Sequence, residues 1–137
     1  MSVYIPDSFR SFVAERALYK CEYCRTPESN SFYKFQIDHI ISLKHGGQTE
    51  LENLAYSCPI CNRNKGSDLG TLLADNGPVI RFFHPRKDQW ENHFEVSIEG
   101  ILYPKTEEAE ATIKILGMNH PDSIIERALL IKVRLYP

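Results

Sequence analysis

All four cysteines of the chain occur in two Cys-x-x-Cys pairs, and this arrangement limits the fold more than any other feature. The first pair is Cys21 and Cys24, and the second is Cys58 and Cys61. Two such pairs are typical of a tetrahedral zinc site, to which each pair contributes one turn of the chain and two thiolates. We therefore predict that one structural Zn²⁺ ion, bound by all four thiolates, brings the two pairs together.

Other roles for the cysteines fit this pattern less well. Disulfides are rare in the reducing cytosol, and four separate buried thiols would leave the paired spacing unexplained. Because 33 residues separate Cys24 from Cys58, we also predict that a folded segment lies between the two pairs.

Length and charge restrict the class of protein. A chain of 137 residues suits one domain, or a core with an extension. The chain has no apolar segment of membrane-spanning length, and its first residues lack the basic start and apolar run of a secretory signal, so we expect a cytoplasmic protein with no membrane partner. Sixteen basic and 18 acidic residues give a net charge of −2. Such a chain should bind nucleic acid weakly, through local basic side chains and bound metal.

Hydrophobic periodicity predicts an α+β fold. No long linker divides the chain, so we expect a core over residues 1–70 with an extension over residues 71–137 packed on it. The predicted elements are a helix from a cap at Asp7–Ser8 to Ala17, a strand within 32–43, a turn or helical loop over 49–54, a short helix starting near Asn62, a strand over 79–83, a short helix over 85–93, a hairpin of 94–98 and 100–103, and helices over 106–116 and 121–135.

The segment bounded by the cysteine pairs carries polar residues in a distinctive order: Asp38-His39, then Gly46-Gly47, Asn53, Asn62 and Lys65. Together with the cysteines, this order closely resembles the HNH nuclease family, in the subgroup with a four-cysteine zinc site and asparagine at the third signature position. The resemblance covers residues 21–68, about a third of the chain. It implies a ββα-metal (His-Me finger) core stapled by zinc, flanked here by an N-terminal helix and a C-terminal α/β extension.

The resemblance also implies a metal-dependent endonuclease that hydrolyses DNA phosphodiester bonds. His39 would be the general base, since histidine titrates near neutral pH. Asp38 and Asn62 would supply oxygen ligands to a catalytic Mg²⁺ or another divalent cation, and Asn53 would fix the histidine-bearing strand. Neighbouring residues on a regular strand point to opposite faces, so the strand must bend or end near His39 if Asp38 serves the same site.

Three basic side chains are candidate contacts to nucleic acid. Arg63 and Lys65 follow Asn62 near a predicted helix start, and His45 precedes the glycine pair. Arg63 and Lys65 could instead be solvated charges. A homodimer is a further expectation, because small nucleases that cut both strands often pair.

Two other functions remain open from the sequence. The chain could be a non-catalytic, zinc-stapled nucleic-acid-binding module, or a protein-interaction module that uses its more acidic C-terminal half. Neither function requires an aspartate, a histidine and an asparagine at these signature positions. Simpler structural roles are also open for some residues: a turn cap at Asn53, a helix cap at Asn62, and structural or loop roles for His84, His93 and His120.

Overall fold

The computed structural model describes residues 4–137, which form an α+β fold, as the sequence predicts. The strands pair into two-stranded antiparallel sheets, β1 with β2, β3 with β4 and β5 with β6. In chain order the elements are α1 (Asp7–Arg16), β1 (Gln36–His39), β2 (Leu54–Ser57), α2 (Pro59–Lys65), β3 (Gly70–Leu72), β4 (Val79–Arg81), α3 (Trp90–His93), β5 (Phe94–Val96), β6 (Leu102–Pro104), α4 (Glu107–Leu116) and α5 (Pro121–Lys132).

Strands β1 and β2 and helix α2 form the predicted ββα unit. In the antiparallel pair, Gln36 lies opposite Ser57 and His39 lies opposite Leu54. Strand β1 ends at His39. The regular strand geometry therefore stops where the sequence requires it to stop if Asp38 and His39 are to serve the same site. The intervening loop contains 3-10 turns over Leu43–His45 and Leu51–Asn53.

Helix α2 begins three residues earlier than predicted. Cys58 is its N-cap, with Sγ accepting a hydrogen bond from the backbone N–H of Cys61, and Pro59 occupies the first turn. Proline suits that position because its ring presets a helical φ and the missing N–H would have no partner within the helix. Asn62 therefore lies inside the helix, and the alternative that it caps the helix is wrong.

The predicted strand over residues 32–43 is much longer than β1. Before the strand, the Ser31 hydroxyl accepts a hydrogen bond from the Tyr33 N–H, and the Glu28 carboxylate accepts one from the Phe35 N–H. After the strand, the Asn53 side chain bonds both backbone groups of Ile41. Side chains thus take the backbone groups that a longer β-ladder would use.

Helix α1 starts at Asp7 without the predicted side-chain cap, because the N-cap residue is Pro6, which has no side-chain oxygen. The Pro6 carbonyl accepts hydrogen bonds from the N–H groups of Phe9 and Arg10 instead. Asp7 lies in the first turn instead, where a carboxylate interacts favourably with the helix dipole.

The C-terminal half contains the predicted strand, short helix, hairpin and two helices, although β4 ends at Arg81 and α5 ends at Lys132, earlier than predicted. The larger differences lie around residues 70 and 85. Strand β3 was not predicted, and the helix predicted over 85–93 is reduced to α3. His84 Nδ1 accepts hydrogen bonds from the N–H groups of Arg86 and Lys87, and the Asp88 carboxylate accepts one from the His84 N–H. These contacts hold residues 84–88 in a turn.

One hydrophobic core contains side chains from both halves of the chain. Val13, Tyr23 and Leu54 belong to the same buried cluster as Phe83 and Leu116. The C-terminal residues thus pack onto the ββα unit instead of forming a separate core. No helix among residues 4–137 has both the length and the apolar character needed to cross a membrane.

The C-terminal half also holds the backbone of the first cysteine pair. The Trp90 indole N–H donates to the Tyr23 carbonyl at 2.8 Å, and the Tyr136 hydroxyl donates to the Cys24 carbonyl at 2.7 Å. Both donors belong to buried side chains. Buried carbonyl groups are therefore satisfied by residues that lie more than 60 positions away in sequence.

We predict that Tyr136→Phe lowers the free energy of unfolding by about 1–3 kcal/mol, because it leaves the buried Cys24 carbonyl without this donor. Urea denaturation followed by circular dichroism measures the change. Tyr103→Phe is the matched control, since Tyr103 is about half exposed and should change stability by less than about 0.5 kcal/mol. Equal stability of the two variants would contradict the proposed support of the cysteine pair.

Candidate metal centre and active site

The four cysteine side chains converge, although the two pairs are far apart in sequence. Their Sγ atoms all lie within 4.8 Å of one another and are buried. A tetrahedral zinc site with Zn–S bonds of about 2.3 Å has S–S edges of about 3.8 Å, and the Cys24 and Cys58 sulfur atoms are 3.8 Å apart. The cluster therefore fits a metal ion such as zinc.

Backbone groups around the cluster favour thiolates. The Cys24 N–H donates to Cys21 Sγ at 3.5 Å, and the Cys61 N–H donates to Cys58 Sγ at 3.3 Å. Burial nevertheless raises the pKa of the Cys21 thiol well above its ordinary value. A cation is therefore needed to hold all four sulfurs in the charged form.

Three of the four residues predicted to form the active site line one open cleft. Asp38 and His39 come from the end of β1, and Asn62 comes from α2. The cleft has a volume of about 320 Å³ and is also lined by Ser42 and Gly66. The ββα unit thus brings together one carboxylate, one imidazole and one amide from separate parts of the chain.

Asp38 lies at the buried end of this cleft. Its Oδ2 accepts a hydrogen bond from the Tyr23 hydroxyl at 2.6 Å and lies 3.1 Å from Lys65 Nζ. Burial raises the pKa of Asp38, while the Lys65 ammonium and the Tyr23 hydroxyl oppose that rise. Burial and the nearby Asp38 charge raise the pKa of Tyr23, so the tyrosine remains a neutral donor.

Lys65 faces the protein interior, which differs from its expected role as a phosphate contact. The residue is 2% exposed. Besides pairing with Asp38, its ammonium donates to the carbonyls of His39 and Ile40, at 3.2 and 3.1 Å. All three interactions fix the end of β1. Arg63 and His45 are exposed and keep access to a ligand.

His39 is oriented by Thr49, a residue outside the sequence motif. Its Nε2 lies 2.9 Å from the Thr49 hydroxyl oxygen. Burial lowers the pKa of His39, against the effect of the Asp38 carboxylate, so the neutral form is favoured near pH 7. The only feature of the sequence that points to this role of Thr49 is its position in the loop that Asn53 closes.

Asn53 joins both ends of the loop that follows His39. Its Oδ1 accepts from the Ile41 N–H at 2.9 Å, and its Nδ2 donates to the carbonyls of Ile41 and Gln48 at 2.8 and 2.9 Å. A Cβ atom at Gly47 would overlap the Ile41 carbonyl oxygen, so this close approach requires glycine. The buried amide therefore fixes the loop carrying Thr49 rather than only capping a turn.

Asn62 extends the donor set of the cleft. Its Nδ2 donates to the Gln36 side chain, and its Oδ1 accepts no hydrogen bond from the part of the chain that the structure describes. An amide oxygen and the Asp38 carboxylate fit a hard divalent cation such as Mg²⁺, which usually keeps several waters and takes few protein ligands. Within residues 4–137, the cysteine cluster is the only group of three or more His, Cys, Asp or Glu side chains suitably placed for a metal.

Comparisons with known proteins place the segment that carries the cysteines and the cleft in a known family model. Residues 21–68 match the family model described as HNH endonuclease. The Septu protein PtuA of Bacillus mycoides (strain KBAB4) is 27% identical over 111 residues, covering 74% of this chain and 14% of that protein. The chain thus spans about one seventh of the length of this curated relative. No solved structure gives a significant match. The chain contains an HNH domain at residues 21–68, as the motif predicts.

We predict that the purified protein carries one equivalent of zinc and that Cys58→Ala removes both the metal and the fold, because three thiolates leave the tetrahedral site incomplete. Elemental analysis and circular dichroism measure the two effects. Cys58→His is the conservative control, because imidazole is also a zinc ligand, and it should keep more metal and structure than the alanine variant. A well-folded, zinc-free Cys58→Ala protein would refute the structural role of the metal.

We predict that Lys65→Met lowers the free energy of unfolding by about 3–5 kcal/mol, because it leaves the buried Asp38 carboxylate without its counter-charge. Urea denaturation provides the measurement. The double variant Asp38→Asn/Lys65→Met should be more stable than Lys65→Met alone, since the uncompensated charge is gone. Arg63→Met, at the exposed neighbouring position on α2, should change stability by less than about 0.5 kcal/mol.

If Lys65→Met and Arg63→Met lower stability equally, or if the double variant is the least stable, the ion pair does not hold the end of β1.

Proposed function

We propose that this protein is a metal-dependent HNH endonuclease that hydrolyses phosphodiester bonds in DNA. The main support is the cleft in which Asp38, His39 and Asn62 meet. Hydrolysis of a phosphodiester needs an activated water and a cation beside the phosphate. The imidazole can activate the water, and the two oxygen donors can hold the cation.

His39 is the proposed general base. This role requires the tautomer in which Nε2–H donates to the Thr49 hydroxyl oxygen, 2.9 Å away. Nδ1 is then the unprotonated nitrogen and accepts a proton from the attacking water. The lowered pKa of His39 keeps this nitrogen free of a proton near neutral pH. Thr49 is a positioning residue, because it acts through the imidazole, and Asn53 holds the loop that carries it.

Asp38 and Asn62 would hold the catalytic Mg²⁺ or another divalent cation. When bound there, such a cation stabilises negative charge on the phosphate and on the leaving 3′ oxygen. Asp38 would use Oδ1, since Oδ2 already accepts the shorter contacts from Tyr23 and Lys65. We expect products with 5′ phosphate and 3′ hydroxyl ends, as the family resemblance implies.

The remaining candidate residues receive separate roles. Arg63 and His45 are exposed and are the proposed phosphate contacts, while Lys65 positions Asp38 from inside. The four-cysteine zinc site is structural, since a closed tetrahedron leaves no position for substrate. A cytoplasmic location, where thiols stay reduced, suits such a site.

We predict that His39→Ala reduces DNA cleavage by roughly a hundred-fold or more, the usual contribution of a general base. Nicking of supercoiled plasmid in Mg²⁺ or Mn²⁺ measures the rate, and elemental analysis checks that the variant retains zinc. His120→Ala is the matched control, because His120 is an exposed residue at the start of α5. It should cleave at the wild-type rate.

Equal cleavage by His39→Ala and wild type would contradict the assignment of His39. Absence of cleavage by wild-type protein on every DNA form would favour the alternative of a non-catalytic nucleic-acid-binding module.

A further inference from the structure

Two adjacent aromatic side chains stand in solvent just before the strand that carries the candidate active site. Phe32 is fully exposed, with a relative accessibility of 102%, and Tyr33 is 74% exposed. Isolated exposed apolar residues are common on protein surfaces, but contiguous large apolar groups mark interaction sites. These two rings lie three and four residues before Gln36, the first residue of β1.

The backbone holds this aromatic pair in a defined turn. The Ser31 hydroxyl donates to the Tyr33 carbonyl at 2.8 Å and accepts from the Tyr33 N–H at 3.1 Å. The next anchor is the Glu28 carboxylate, which accepts from the Phe35 N–H at 2.8 Å and from the Tyr56 hydroxyl at 2.6 Å. The exposure of the rings is therefore built into the fold.

A cavity of about 340 Å³ opens beside the pair. Its lining is mostly apolar and includes Phe32, Tyr33 and Ile60, three cysteines of the metal cluster (Cys24, Cys58 and Cys61), and the charged side chains of Arg63, Asp122 and Glu126. The two carboxylates would repel a phosphate, whereas Arg63 would attract one. A ligand with an aromatic part and an anionic part fits this uneven charge.

The cavity adjoins the candidate active site. Arg63 lines the cavity, and the preceding residue of α2, Asn62, lines the cleft. The Gln36 side chain also accepts a hydrogen bond from Asn62, so β1 and α2 form a common wall between the two. One nucleic-acid strand that crosses this wall would contact both the cleft and the cavity.

We propose that Phe32, Tyr33 and this cavity bind an unpaired nucleobase next to the phosphate to be cut. The inference rests on the proposed nuclease function and names its substrate as DNA with unpaired bases, either single-stranded or locally opened. Aromatic side chains stack on any free base, whereas the bases of an intact duplex are already stacked on each other. The phosphate of the bound nucleotide is assigned to Arg63, because the Asp122 and Glu126 carboxylates would repel it.

Overall charge supports an unpaired strand over a duplex. The chain has a net charge of −2, and a duplex is bound chiefly through many phosphate contacts. Stacking supplies affinity that does not depend on net charge. Around the aromatic pair, the exposed cations Lys34 and Arg63 provide a few local phosphate contacts.

Binding of fluorescent oligonucleotides to the His39→Ala protein tests the inference without cleavage. We expect tighter binding of a single strand than of the matching duplex. Adding Phe32→Ala or Tyr33→Ala should weaken single-strand binding by about tenfold each, the loss expected when one stacked base loses its aromatic partner. Tyr103→Ala, on β6, is the control for loss of a half-exposed aromatic ring and should leave the affinity unchanged.

A second variant, Phe32→Trp, gives a direct signal for stacking. Its indole should restore binding, and single-stranded DNA should quench its fluorescence. The native Trp90 is 5% exposed and provides a constant background.

The inference is overturned if Phe32→Ala and Tyr33→Ala bind single strands as well as Tyr103→Ala does. It is also overturned if each of the two variants loses as much affinity for the duplex as for the single strand, or if DNA leaves the emission of the Phe32→Trp variant unchanged. A wild-type protein that shows these binding effects but never cleaves DNA would refute the nuclease function and leave the base-binding site standing. If the wild-type protein cleaves single strands normally and Phe32→Ala leaves the affinity unchanged, the base-binding site is refuted and the nuclease function stands.

Discussion

Convergence of the four cysteine sulfurs is the constraint on which the rest of the structure depends. The ββα unit has two four-residue strands and one seven-residue helix, and elements this short are not stable alone in water. A structural zinc ion contributes on the order of 10 kcal/mol, comparable to the net stability of a whole domain. Because Cys58 is also the N-cap of α2, a metal ion held by the cluster would fix the start of the helix that carries Asn62.

The buried polar contacts complete this arrangement at the end of β1. Lys65, from the last turn of α2, pairs with Asp38 and binds the carbonyls of His39 and Ile40. Such an ion pair adds little net stability compared with apolar side chains, but it fixes geometry because each partner is costly to leave alone. The same contacts that join helix to strand therefore orient the carboxylate proposed to bind the catalytic cation.

The sequence predicts the features that depend on local pattern. The four-cysteine cluster, the HNH segment and the order of strand, strand and helix follow from motifs and local patterning, and the family match and the fold agree with these predictions. Features decided by distant partners could not be predicted. Whether Lys65 points outward or into the core depends on a carboxylate 27 positions earlier, and β1 is short because side chains from other segments take the flanking backbone groups.

The low net charge has a structural consequence for any function on DNA. Several basic side chains serve the fold: Arg127 donates to the carbonyls of Gly100 and Met118, Arg16 donates to those of Leu51 and Leu54, and Lys65 is buried. Their charges are not displayed as a continuous basic surface, so long-range attraction to the DNA backbone is weak. Specific local contacts must then hold the substrate, and the exposed cations and aromatic rings next to the cleft are the groups that can make them.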